Sequence, residues 1–300
     1  MRYFYSFITS SLLVFSTNTY ALDLFIDALY WQATEVVDWA LGNNLNPSQQ
    51  DVYYLTNTFD TKPGFRVGVG HQGSWDTKFY YTQYFTSTDD SATGNLTSTF
   101  LGGKSIEKKN NDFFFNSGNV KQSIHFNMFD WDLGKHVEVD QWLLLRPIVG
   151  VKGGWIDQTI ITNFNGPLSI TENSKNNFNG IGPKVGIESV ITFFNKNPVQ
   201  LSLIANFTSS YLWGKWSISD VLHSTSRDSY TVETPSRIVG ALVLEGLIGA
   251  KLDYHKFSMK LSYEINDWFD QYQVFDDGTG EHNNDLILQG LTFGLNYRFS

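Results

Sequence analysis

At the end of the chain Leu291, Phe293, Leu295, Tyr297 and Phe299 alternate with Thr292, Gly294, Asn296 and Arg298. Successive side chains of a strand point to opposite faces, so this stretch predicts a β-strand with one apolar, aromatic wall and one small, polar or basic face. The same alternation recurs from Leu22 onward, without a sustained helical period. It predicts ten strands, near 23–34, 63–73, 75–87, 120–133, 140–162, 177–195, 199–218, 235–254, 257–275 and 285–299. Segment 51–59 reads as a further strand or hairpin, which softens the count to a range of 8–12.

The connections alternate in length. Long polar stretches at 35–62, 88–119, 163–176, 219–234 and 276–284 take turns with short ones at His71–Ser74, Gly134–Val139, Asn195–Pro198 and His255–Lys256. Long loops on one side and tight turns on the other are the signature of a transmembrane barrel, in which an even strand number puts both termini on the turn side. The expected fold is therefore all-β: a closed antiparallel transmembrane β-barrel of about ten strands, occupying residues 22–300.

The two faces separate strand by strand. Toward lipid the alternation places Phe65, Val67 and Val69; Phe79 and Tyr81; Ile124, Phe126 and Met128; Val149 and Val151; Val185 and Ile187; Leu203 and Phe207; Leu242 and Ile248; and Met259, Leu261 and Tyr263. Opposite them fall Arg66, Lys78, His125, Arg146, Lys152, Lys184, Glu188, Gln200, Asn206, Glu245, Lys251, Lys260, Glu264 and Arg298. Two apparent phase slips, between Met128 and Phe129 and around Gly290, suggest bulges or displaced strand boundaries. A soluble sandwich whose charged face meets water would show the same alternation.

The first 21 residues change the picture. One charge at Arg2, an apolar centre from Tyr3 to Phe15, and Thr19 and Ala21 before a cut after residue 21 fit a cleaved signal peptide. The apolar run is shorter than the ~20 residues of a spanning helix. An exported chain without a helical anchor is either soluble outside the cytoplasm or a barrel. Aromatic residues at 16% and charged residues at only 17%, against about 25% charged in a typical soluble domain, tilt toward a β-rich chain in an unusual environment. The absence of cysteine removes disulfides, thiolate metal sites and cysteine nucleophiles. A formal charge of −9 argues against nucleic acid as a partner, because sequence-independent binding neutralises phosphates with Lys and Arg.

Eight blocks carry a family resemblance: DALYWQA (27–33), KPGFRVGVG (62–70), WDTKFYYTQY (75–84), WLLLRPIVGVKGGWIDQTI (142–160), NFNGIGPKVGIES (177–189), YLWGK (211–215), YEINDWFDQYQ (263–273) and LQGLTFGLNYRF (288–299). In order and spacing they resemble the Legionella-type pore-forming major outer membrane proteins, which also occur in chlamydia-related bacteria. The resemblance covers nearly all of the mature chain. It implies a porin-like barrel in the bacterial outer membrane and transfers no catalytic residue. The chain departs from the pattern by placing Ser300 after the usual terminal aromatic.

Of the motifs that carry chemistry, Gly68–Gly73 matches GxGxxG, but an alternating strand follows it where a dinucleotide loop needs a helix. The six histidines lack metal-ligand spacing. A barrel hydrolase of omptin type would draw on Asp89, Asp90, Asp220, His223, Asp276, Asp277 and His282, all in expected external loops, although no GxSxG elbow is present. The strongest constellation is the inward set: Arg66, Lys78, Arg146, Lys152, Lys184, Lys251, Lys260 and Arg298 outnumber Glu188, Glu245 and Glu264. A basic tube would favour anions. The leading expectation is a passive diffusion pore, with outer-membrane lipid and small solutes or ions as its partners and no cofactor. The alternative is a non-conducting structural or host-contact barrel, plugged by its own charges.

Overall fold

The computed structural model describes residues 21–46, 49–100, 103, 114–225, 229–273 and 285–299. The expected signal peptide therefore lies outside the described residues, apart from Ala21. Among the described residues thirteen strands follow in chain order: β1 Ala21–Thr34, β2 Asp38–Asn46, β3 Gln49–Thr56, β4 Lys62–Gln72, β5 Asp76–Ser98, β6 Phe115–Gly134, β7 Val137–Asp140, β8 Leu143–Asn165, β9 Ser169–Lys196, β10 Val199–Ser224, β11 Ser229–Tyr254, β12 Phe257–Trp268 and β13 Leu286–Phe299.

Ten of these close into an antiparallel barrel. The ladder runs β4-β1-β13-β12-β11-β10-β9-β8-β6, and β5 joins β6 back to β4. Closure is made by β1, whose Asp27 is paired with Gly294 on one side and Arg66 on the other. Each of the ten predicted strands is present. The hairpin β2–β3 rises from the first long loop and leans on the end of β5, as segment 51–59 hinted, and β7 is a short ladder on β8.

Two expected loops are largely strand. Residues 169–176 extend β9 and 219–224 extend β10, in register with each other from Ser219↔Lys175 to Ser224↔Ile170. A tilted strand crosses a bilayer in about 9–11 residues. The 28, 26 and 26 residues of β9, β10 and β11 thus carry the wall well past it on the loop side.

The polarity of the two faces exchanges at that boundary. Near the turns β6 points Phe129 and Trp131 outward and Asp130 and Asp132 inward; farther up it points Lys121, Ser123 and His125 outward and Val120, Ile124, Phe126 and Met128 inward. On β13 the outward Leu291, Phe293 and Leu295 give way to Gln289, while the inward series changes from Thr292 to Leu288 and Leu286. The chain has the inside-out polarity of a membrane barrel below and that of a water-facing barrel above.

This exchange replaces both predicted phase slips. The β6–β8 pairing runs unbroken from Ser117↔Asn165 to Gly134↔Ile148, and β13 is in continuous register with β1 and β12 through Gly290. The register irregularities of the long strands lie elsewhere, at Thr93/Leu96, Leu201/Ser202 and Trp216/Ile218. Ile124, Phe126 and Met128 are accordingly buried inside and do not face lipid. His125 is exposed on the outer wall, its ring 4.3 Å from that of Phe85.

Candidate functional site

From turns to loops, the lumen holds three layers. The lowest is a vestibule of about 710 Å³ that reaches the turn end, where Asn197, Pro198, His255 and Lys256 frame it. It is walled by residues of the inward face: Asp23 and Asp27 of β1, Gly70 of β4, Asn206 of β10, Lys251 of β11, Lys260 of β12 and Arg298 of β13.

Along the walls of the vestibule and above it runs a network of ion pairs, the deepest of them buried. Arg66 donates from Nη1 to Asp27 Oδ2 at 3.2 Å, from Nη2 to Glu264 Oε2 at 2.9 Å and from Nε to Thr82 Oγ1 at 3.0 Å. Lys260 Nζ shares Asp27 at 2.9 Å. Across the barrel, Lys184 Nζ lies 2.9 Å from Asp130 Oδ1 and 3.1 Å from Asp132 Oδ1, and donates to the Tyr80 hydroxyl at 2.6 Å. Lys152 bridges Asp130 at 3.0 Å and Glu245 at 2.9 Å. Arg146 and Lys78 meet on Glu188, each at 3.0 Å, and Arg146 also faces Asp76, which His136 contacts at 2.7 Å. The Tyr80 ring ties the clusters together, with the Arg66 guanidinium 5.6 Å and the Lys184 ammonium 5.1 Å from its centroid.

The third layer is aromatic. Trp31, Tyr84, Phe126, Phe178, Trp216 and Trp268 belong to one buried cluster with Leu288 and Val243. Phe178 packs 4.4 Å from Trp216, and Phe126 lies edge-on to Trp268 at 5.6 Å. Tyr84 donates to the Trp31 carbonyl at 2.8 Å, and Trp31 Nε1 to Thr292 at 3.2 Å. Gly214 makes room for this layer: a Cβ there would stand 1.9 Å from the Phe178 ring. Higher still are two buried carboxylates. Glu35 accepts from Gln122 at 2.8 Å and from Gln158, and Glu172 accepts from Ser98 at 3.3 Å and from the Gly103 amide at 3.0 Å. Burial raises Glu35 to about 7. Burial, then Asp220 beside it, raises Glu172 well above the usual range.

Against the sequence-based set, Arg66, Lys78, Arg146, Lys152, Lys184, Glu188, Glu245, Lys251, Lys260, Glu264 and Arg298 all belong to the inner face, and His125 does not. The expected basic interior is corrected. Asp23, Asp27, Asp76, Asp130, Asp132 and Asp253 share the lumen and neutralise it. The alternation contained that signal: Asp23 and Asp27 alternate with Leu22, Leu24 and Ile26, and Asp130 and Asp132 with Phe129 and Trp131. Of the hydrolase candidates, Asp89 and Asp90 are exposed on β5, whereas Asp220 is buried and accepts from Ser174 at 2.8 Å; Asp276, Asp277 and His282 lie outside the described residues.

Outside the wall, Leu24, Ile26, Phe65, Val67, Val185, Leu203, Ile248 and Leu261 make an exposed apolar belt. Aromatic residues edge it at the turn end (Trp75, Trp142, Tyr254, Phe257, Phe299) and at the polarity exchange (Tyr30, Trp155, Tyr211, Trp213). An apolar belt between two aromatic girdles, on a closed barrel with an ionic interior, defines a transmembrane β-barrel of the bacterial outer membrane. The family model described as Legionella pneumophila major outer membrane protein precursor matches residues 15–299, and the chain belongs to that family.

Among solved structures the chain is similar to a major outer membrane protein of Thermus thermophilus, at 10% identity over 94% of this chain and 100% of that one, with a TM-score of 0.33. It is also similar to the outer membrane protease OmpT of Escherichia coli (11% identity, 94% and 99% covered, TM-score 0.43) and to the toluene transporter TodX of Pseudomonas putida (6%, 94% and 90%, TM-score 0.28). Comparison with curated protein sequences finds no match.

Proposed function

We propose that this outer-membrane barrel is closed at rest, and that it serves as a membrane-embedded support for its long water-facing upper barrel rather than as an open diffusion pore. The observation that carries this reading is the filled lumen. Above the vestibule the buried ion pairs of Lys152 and Lys184 and then the Trp31–Phe178–Trp268 layer occupy the cross-section. A ten-stranded wall leaves little more room than its own side chains need.

Buried ion pairs seldom stabilise a fold more than apolar packing would. Here they supply something apolar residues cannot. With lipid outside, an apolar interior would make the two faces of each strand interchangeable, whereas inward charge makes a one-residue register slip prohibitive. Planar-bilayer recording of the folded protein tests the reading, with the expected outcome being no steady conductance above leak. Steady channels, or liposomes that swell in small sugars, would overturn it and favour the porin-like alternative.

A further inference from the structure

In the vestibule the cations lie over the anions. Lys260 is 26% exposed over an Asp27 that is 1% exposed, Arg298 42% over Asp23 at 10%, and Lys251 31% beside Asp253 at 25%. Both partners of each pair line the 710 Å³ space, and in each pair the cation is the more exposed. Lys251 and Lys260 are moreover direct cross-strand partners on the same inward face. Like charges directly opposite one another in a ladder are destabilising unless something lies between them.

Gln200, Asn206, Ser258 and Asn296 add polar side chains to the lining. Gly294 stands opposite Lys260 in the ladder and leaves the wall bare beneath it, since a Cβ there would stand 2.4 Å from the lysine side chain. The space is closed off from lipid by the barrel wall, reaches the turn residues Asn197, Pro198, His255 and Lys256, and is of a size that suits a small molecule.

From this geometry we infer that the periplasmic vestibule binds small multivalent oxyanions, carboxylate- or phosphate-bearing solutes of the periplasm, between Lys251, Lys260 and Arg298. The site needs no open channel, so it stands apart from the conductance of the lumen. Its selectivity is for charge and size: a planar or branched oxyanion bridges the two lysines and accepts from Arg298 at the mouth.

The test uses the full mature protein folded in detergent micelles at low ionic strength. Pyrophosphate and citrate serve as probes and spermidine as the opposite charge, followed by calorimetry and, for pyrophosphate, by phosphorus line broadening. Saturable binding of both anions, weakened roughly tenfold by Lys251→Gln with Arg298→Gln, is expected. Both side chains are partly exposed, so the double variant keeps the deeper ion pairs; Lys215→Gln, on the outer wall, leaves binding unchanged. Asp253→Asn frees Lys251 and tightens binding several-fold, which a loss of folding could not imitate. Spermidine binding more tightly than pyrophosphate, or anion binding indifferent to all of these substitutions, would overturn the inference.

Discussion

Replacing Lys184 with Met tests the ionic layer most directly. Its ammonium is 1% exposed and serves Asp130 at 2.9 Å, Asp132 at 3.1 Å and the Tyr80 hydroxyl at 2.6 Å. Without it Asp130 keeps Lys152 at 3.0 Å. Among the described residues Asp132 then retains only the Tyr80 hydroxyl at 3.3 Å and becomes a buried carboxylate without a cation. Breaking a buried pair from one side costs about 3–5 kcal/mol, most of it the stranded charge. Lys184→Met combined with Asp132→Asn removes that charge, so the double variant should recover part of the loss, with a coupling energy of about 1–3 kcal/mol. Reversible urea unfolding in micelles, followed by tryptophan fluorescence, supplies the four free energies of the cycle. A loss below about 1 kcal/mol for Lys184→Met, or strictly additive effects, would refute a layer of mutually dependent buried pairs.

Three further outcomes follow from the same geometry. Glu35 titrates near 7 inside and at 4.5 unfolded, so the native state holds the extra proton. The contribution of Glu35 to stability therefore falls as pH rises from about 4.5 to 7, by roughly 3 kcal/mol, and buried Glu172, also raised, adds a fall of the same sign; urea midpoints against pH should show the combined slope, and Glu35→Gln should remove the Glu35 share of it. Gly214→Val drives a side chain into the Phe178 ring and should cost about 1–3 kcal/mol in the same assay, whereas a neutral effect would mean that the aromatic layer is loosely packed. Single-tryptophan variants keeping Trp213 or Trp216 should divide cleanly: lipids brominated in the acyl chain quench Trp213, on the outer wall, and spare Trp216, whose ring packs on Phe178.

The hairpin turns were legible because they depend on local chemistry, and Asn195–Pro198 and His255–Lys256 lie where the alternation breaks. The ten long strands were legible because a period of two needs only neighbouring residues. The upper ends of β9 and β10 were not: Asn173, Asn176 and Asp220 look like loop, and only the ladder between the two strands shows that they are wall. Asp130 and Asp132 escaped the candidate set for a related reason, since they sit just where β6 exchanges its polar and apolar faces and the alternation reads as a slip.

By itself, then, the sequence determined the strand count, the turn side, the apolar belt and the family, all of which are written in local alternation and in ordered blocks along the chain. Which face is inside is not a local property. An alternating strand has two faces of opposite polarity, and the surroundings of each height of the barrel, lipid below and water above, decide which one turns inward. The pairing of Arg66 with Glu264, 198 positions away, and of Lys260 with Asp27, 233 away, likewise exists only once β1 closes between β4 and β13. Closure brings those charges together, and with them a basic-looking set of positions becomes a neutral, filled lumen.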